Sequence, residues 1–198
     1  PTVSLTPEEM ENLVNHCRQN LVAMTRGATP SYYLAGCPDA MVRGVTLRIH
    51  DNSGQLVFSS SKASFRQGTP LQATLHGIIE QAARGFRESN LDAATLQELK
   101  PSLLLLDDPA MHGTVAQPDL RGMDTRQRAL LVTESNRNAW AYDPGQSPEA
   151  LLGSATADTE VQSPHAARIF SFQATASQDR ISVINVPRAQ AGATVRPA

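Results

Sequence analysis

Two short polar turns, each enclosed by strand-like segments, constrain the fold of this 198-residue chain more than any other feature. The first turn, residues 51–54, separates segments 44–49 and 55–59, in which apolar and polar residues alternate. The second turn, residues 134–138, separates segments 129–133 and 139–142. Strands joined by such short turns pair antiparallel. The sequence therefore predicts a sheet that is mainly antiparallel.

Helical patterns surround these hairpins. Thr6, Pro7 and Glu9 form a helix-start signal, with a capping residue, a proline at the first helical position and a capping-box glutamate. The apolar residues that follow recur at three- and four-residue spacing up to a glycine, and they predict one buried helical stripe: Met10, Leu13, Val14, Cys17, Leu21 and Met24, ending at Gly27.

Three further helices are expected along the chain. Thr69 and Pro70 repeat the cap-and-proline signal before a second amphipathic helix that runs to Phe86. Residues 91–99 predict a short helix that stops before a proline, and residues 147–152 predict a brief fourth one. Strands are expected at 103–106, 167–172 and 180–184, and residues 107–127 are expected to form a long surface loop.

This order of elements indicates an α+β fold with a mainly antiparallel sheet flanked by helices, because helices and hairpins mix without regular βαβ alternation. A division into two lobes stays open. A chain of this length buries enough surface for one core, so we expect a single domain over residues 1–188 and a disordered tail over 189–198.

Composition disfavours several functional classes. The 17 basic residues face 19 acidic ones, and nucleic-acid binding needs a local basic excess. The sequence contains no run of 18 apolar residues and so predicts no membrane span. We expect a cytoplasmic protein. Cys17 and Cys37 lie 20 residues apart without a CxxC spacing, which disfavours a zinc site and leaves a disulfide undetermined. The sequence implies no cofactor.

Candidate chemistry is sparse. Asp107, Asp108 and His112 have the composition of a divalent-metal site, but adjacent aspartates on an extended chain point to opposite sides, and a turn with side-chain caps is the competing interpretation. Arg121 and Arg126 are candidates for binding an anionic ligand, against local ion pairs in a solvated loop.

A hydrolase hypothesis rests on Ser59 and Lys62, with Asp108 and His112 as further candidate catalytic residues. The G-x-S-x-G turn of many serine hydrolases is absent, and serines at a strand end are ordinary turn material. Convergence of these four side chains in one cleft would support an enzyme.

Four stretches of the chain, in this order, resemble the AMMECR-type domain. Residues 43–47 (RGVTL) are similar to the family's "RGVFVTL" strand, and Pro70-Leu71 begins a similar helix. Residues 96–99 lead into a hydrophobic strand, and residues 128–132 with 139–144 are similar to "GLIV" and "LLLPQV". The resemblance covers about residues 5 to 175. The family's "LRGCIG" motif is replaced by residues 56–61 (LVFSSS), and Ser59 stands at the position of its cysteine.

The resemblance implies the family's fold and no catalytic residue, since a serine without an activating base does not inherit the chemistry of a thiolate. It implies an accessory or scaffold role beside the Memo-like and radical SAM proteins that AMMECR-type proteins accompany. Two alternatives are an enzyme acting on a small molecule in a cleft between lobes and an α+β ligand-binding or sensory module. A homodimer also stays open.

Overall fold

The computed structural model describes residues 5–28 and 37–187 and has the α+β architecture expected from the sequence. Its elements in chain order are α1 (Pro7–Thr25), β1 (Met41–Val42), β2 (Gly44–His50), β3 (Leu56–Ala63), β4 (Thr69–Pro70), α2 (Leu71–Glu88), α3 (Ala93–Gln97), β5 (Lys100–Thr114), β6 (Arg128–Glu134), β7 (Arg137–Tyr142), α4 (Pro148–Thr159), β8 (Arg168–Ala176) and β9 (Ile181–Asn185).

Seven strands form one antiparallel sheet that closes almost into a barrel, in the order β3-β2-β5-β8-β6-β7-β9. Its two edge strands, β3 and β9, meet through side chains: Asn185 Nδ2 donates to Ser61 Oγ over 2.8 Å. Strands β1 and β4 form a separate two-stranded ribbon beside this barrel. The sheet runs through both hairpins without a break, and both hairpins are confirmed.

The core has three parts, which follow from the alternation of side chains along each strand. Helices α1 and α2 cover the outer face of β2 and the start of β5, where Leu47 and Leu103 are buried. Trp140 and Phe172 fill the barrel interior. Helix α4 packs on β6 and β7 around Leu151. None of the described helices is long and apolar enough to cross a membrane.

Helix α1 begins as the sequence predicts. The amide of Glu9 donates to Thr6 Oγ1 over 3.1 Å, and the amide of Thr6 donates to Glu9 Oε1 over 3.2 Å, which completes the capping box. Cys17 lies in the buried stripe, also as predicted. The cap predicted for α2 is wrong: Thr69 pairs with Val42 in the β1–β4 ribbon, and no side chain caps this helix.

The long loop predicted over residues 107–127 is wrong in its first part, because β5 continues to Thr114. A bulge between Asp107 and Ala110 shifts the register, after which the strand goes on pairing with β8. Helix α4 is also longer than expected and ends at Thr159, since Ala155 adds another buried turn against β6 and β7. The predicted tail, residues 189–198, lies outside the described residues.

Candidate functional site

A cleft of about 840 Å³ opens where the bulge of β5, the loop between β3 and β4, and the β1–β4 ribbon meet. We call it the Phe65 cleft. The residues that line it come from all three parts and from the neighbouring strand β8: Met41, Val42, Arg43, Phe65, Gly68, Asp107, Asp108, Pro109 and Gln173. The cleft is therefore formed by segments that lie far apart in the sequence.

Phe65 is the exposed aromatic residue at this cleft, with 45% of its surface accessible. Its ring centroid lies 4.6 Å from that of Phe170 and 5.8 Å from that of Phe172. Phe172 in turn packs at 5.1 Å against Trp140 in the barrel interior. Tilted aromatic contacts at these distances are favourable, so they hold the Phe65 ring in place while one side of it faces solvent.

Arg43 fixes the loop that carries Phe65. Its backbone amide donates to the carbonyl of Leu106 over 2.8 Å, and its own carbonyl accepts the amide of Ser64 over 2.7 Å. Its guanidinium donates to the carbonyl of Phe65 over 3.0 Å. The loop is thus bound to the backbone and the side chain of Arg43, which is itself bound to β5.

The bulge places two carboxylates on the cleft. Asp108 has φ +47°, a left-handed conformation that aspartate tolerates better than most residues, and its amide donates to Asp107 Oδ1 over 2.9 Å. Arg128 Nη1 donates to Asp108 Oδ2 over 3.1 Å, and Nη2 donates to the Asp108 carbonyl. The chain is not extended at Asp108, so the alternation of side chains expected for adjacent aspartates does not apply there.

Behind the bulge lies a buried network centred on Ser171, which is 0% exposed. His112 Nε2 lies 2.6 Å from Ser171 Oγ, and His112 Nδ1 lies 2.9 Å from the carbonyl of Asp119. Arg128 Nε donates to the same Ser171 oxygen over 2.9 Å. Since a carbonyl accepts only, the network assigns the proton of His112 to Nδ1, and Ser171 donates its hydroxyl proton to Nε2.

The four residues of the hydrolase hypothesis do not come together. Asp108 bonds Arg128, and His112 bonds Ser171 and the Asp119 carbonyl. Lys62 lies over helix α2 and lines a separate depression of about 340 Å³ next to Arg43, whereas Ser59 faces the other side of β3. The convergence that an enzyme of this kind requires is absent from the described residues.

The described residues do not support the metal hypothesis for Asp107, Asp108 and His112, which stays a prediction. In residues 5–28 and 37–187, no group of three His, Cys, Asp or Glu side chains is placed to hold a metal ion. The two aspartates line the cleft, but the ring of His112 is turned inward to Ser171 and is 5% exposed.

Arg121 and Arg126 both pair with a neighbouring aspartate. Arg121 Nη2 lies 2.6 Å from Asp119 Oδ2, and Arg126 Nε lies 3.2 Å from Asp124 Oδ1. The hydrogen bonds from Arg121 lower the pKa of Asp119 to about 2. These are the local ion pairs of the competing interpretation, and binding of an anionic ligand by the two arginines stays a prediction.

Sequence reasoning selected Asp107 and Asp108 but missed the other residues that build the cleft and the network behind it. Phe65 stands alone between polar residues of a loop, and an isolated aromatic there was a signal that could have been used. Arg43, Arg128 and Ser171 gave none, because each acts through partners far away in the chain.

No family model matches the chain, and no curated protein matches its sequence. Among solved structures, the uncharacterized protein PH0010 from Pyrococcus horikoshii is similar, with a TM-score of 0.59 and 15% sequence identity. The match covers 87% of this chain and 92% of that chain. At this identity the likeness concerns the fold, so the chain shares the α+β architecture of that archaeal protein.

Proposed function

We propose that this protein is a non-catalytic accessory or scaffold domain whose working surface is the Phe65 cleft, where it binds a segment of a partner protein. The observation that carries the proposal is that Phe65 is both held in place and partly exposed. The ring is held by two aromatic neighbours and yet 45% exposed, at the edge of a cleft of about 840 Å³. Rigid, partly exposed aromatic residues are typical anchors of protein interfaces.

The chemistry around the cleft supports binding over catalysis. The pair with the distance of a nucleophile and a base, Ser171 and His112, is buried. Ser171 Oγ also accepts a hydrogen bond from the Arg128 guanidinium, which disfavours loss of electron density from that oxygen to a substrate. The residues that line the cleft provide apolar surface and charged groups, which suit binding of a partner.

The lining indicates what kind of segment would fit. Phe65 and Met41 present apolar surface, and Met41 is 52% exposed. Asp107 and Asp108 also line the cleft, and Asp107 adds a negative charge, since Asp108 already pairs with Arg128. A segment with one apolar side chain near one Lys or Arg would match both features.

The first candidates for the partner come from the resemblance of the sequence to AMMECR-type domains, which accompany Memo-like and radical SAM proteins. An enzyme acting on a small molecule in the same cleft is the alternative. Turnover of a substrate that depends on Asp107 or Asp108 would favour that alternative.

A photo-crosslinking experiment tests the proposal. The photoreactive residue p-benzoylphenylalanine is placed at position 65, or as a matched control at position 184 on β9, where Ile184 is 47% exposed outside the cleft. Each variant is irradiated with purified Memo-like and radical SAM proteins from the same genome. We expect a crosslink from position 65 to one of them and none from position 184. No crosslink from position 65, or equal crosslinks from both, contradicts the proposal.

A further inference from the structure

Three buried polar atoms without a hydrogen-bond partner lie on adjacent strands of the barrel: Thr46 Oγ1 and Arg48 Nε on β2, and Ser102 Oγ on β5. Thr46 and Ser102 are both 0% exposed. Buried polar groups in proteins nearly always have a partner, and a cluster of exceptions indicates a bound water, ion or ligand. Only five such atoms occur in the part of the chain that the structure describes, so their grouping is notable.

The register of the sheet places these side chains on the same face. Arg48 lies opposite Ser102 on β5 and opposite Ser59 on β3. Thr46 follows two positions away and therefore points to the same side. That side is the barrel interior, since Leu104, the partner of Thr46, belongs to the interior cluster.

Arg48 is partly buried, with its Nε enclosed, and it forms no ion pair with a carboxylate of the described residues. On β2, β3 and β9, and on β5 before its bulge, the positions that face inward carry no Asp or Glu. The one hydrogen bond of the guanidinium among the described residues goes from Nη1 to the Ser182 carbonyl on β9, over 3.1 Å. Burial lowers the pKa of Arg48, and burial together with the charge of Arg48 lowers the pKa of His50 against the opposing effect of Asp51.

We propose that the barrel interior binds one small inorganic anion, of the size of chloride, between the guanidinium of Arg48 and the hydroxyl groups of Thr46 and Ser102. All three groups donate hydrogen bonds, and the anion supplies the charge that the surrounding strands lack. A halide fits this place better than phosphate, because Arg48 Nε and both hydroxyl oxygens are enclosed by protein.

Crystals grown or soaked in sodium bromide test the site directly, through the anomalous scattering of bromide. We expect a bromide peak within about 3.5 Å of Arg48 Nε, the contact distance of an N–H donor to a large anion. A water molecule alone at that place, or no density, overturns the proposal.

Thermal unfolding in solution provides the second readout. At equal ionic strength, potassium chloride and potassium bromide should raise the Tm of the protein above its value in potassium gluconate. Arg48→Met should abolish this halide effect, and the matched control Arg84→Met, which changes an exposed arginine of α2, should keep it. Thr46→Val is the second variant, used if the Arg48 variant does not fold. It should reduce the rise of the Tm in halide at least twofold. An equal halide effect in Thr46→Val and the unchanged protein contradicts the proposal.

Discussion

His112 Nε2 lies 2.6 Å from Ser171 Oγ, which is the spacing of a base and a nucleophile in a serine hydrolase. Here the contact joins β5 to β8 and is buried. The carbonyl of Asp119 holds the other ring nitrogen of His112, and Arg128 holds the serine oxygen. Because Ser171 is 0% exposed, we expect the pair to stabilise the strands beside the Phe65 cleft.

Ser171→Ala should lower the free energy of unfolding by about 2 kcal/mol, because it leaves His112 Nε2 and Arg128 Nε buried without a partner. Urea denaturation followed by circular dichroism measures this change. The control Ser182→Ala alters an exposed side chain and should change stability by less than about 0.5 kcal/mol. Equal stabilities of the two variants would show that the network contributes nothing.

Arg128 forms an ion pair with Asp108 and hydrogen bonds to Ser171, and the variants Arg128→Met and Asp108→Asn separate these two contributions to stability. The side chain of Asp108 is 67% exposed, so its ion pair is weak and Asp108→Asn should cost less than about 1 kcal/mol. Arg128→Met should cost about 3 kcal/mol, since it also removes the donors to Ser171 and to the Asp108 carbonyl. Equal losses in urea denaturation would instead assign the effect to the ion pair.

Glu134 should make stability depend on pH. Its carboxylate accepts the amides of Gln162 and Ser163 and pairs with Arg137, and these bonds, the amides first, lower its pKa below the ordinary value of 4.5. The stabilisation is therefore complete above pH 4.5 and is lost as the pH falls through the lowered pKa.

Glu134→Gln should accordingly lower the Tm at pH 7, and its difference from the unchanged protein should shrink towards pH 3. Differential scanning calorimetry across this range measures it, with Glu88→Gln at an exposed position as the control. A difference in Tm that stays constant with pH would contradict the assignment.

The two cysteines should be unreactive in the folded protein. Burial raises the pKa of Cys17 to about 12, with a smaller contribution from Cys37, and burial raises the pKa of Cys37 to about 11. Only thiolates react with iodoacetamide, and at pH 8 a thiol with a pKa of about 11 is ionised in about one molecule in a thousand. Mass spectrometry should find both cysteines unmodified in native buffer and alkylated in urea. Rapid alkylation of both in native buffer would contradict their burial.

Local signals allowed much of the fold to be predicted. The Thr6 capping box and the turn at residues 51–54 depend on neighbours within a few residues, and the structure contains both. Strand β5 beyond Asp107 was missed, because its pairing with Phe170 and Ser171 is made by a strand about 60 residues further on. Tertiary pairing of this kind overrides the local signal that a proline and two aspartates give.

The candidate site was predicted only in part for the same reason. Of the candidate residues in this segment, Asp107 and Asp108 line the cleft and His112 does not. Phe65 is held at the cleft by Phe170 and Phe172, which lie more than 100 residues away in the sequence. Contacts between residues more than 100 positions apart produce no local pattern in a single sequence.

The central claim is that the Phe65 cleft binds a partner protein, and isothermal titration calorimetry tests it most directly. The protein, Phe65→Ala and the control Ile184→Ala are each titrated with the purified Memo-like and radical SAM proteins of the same genome. We predict measurable binding to one of them, a Kd at least about 10-fold weaker for Phe65→Ala, and an unchanged Kd for Ile184→Ala. Binding to neither protein, or equal affinities of Phe65→Ala and the unchanged protein, would contradict the account.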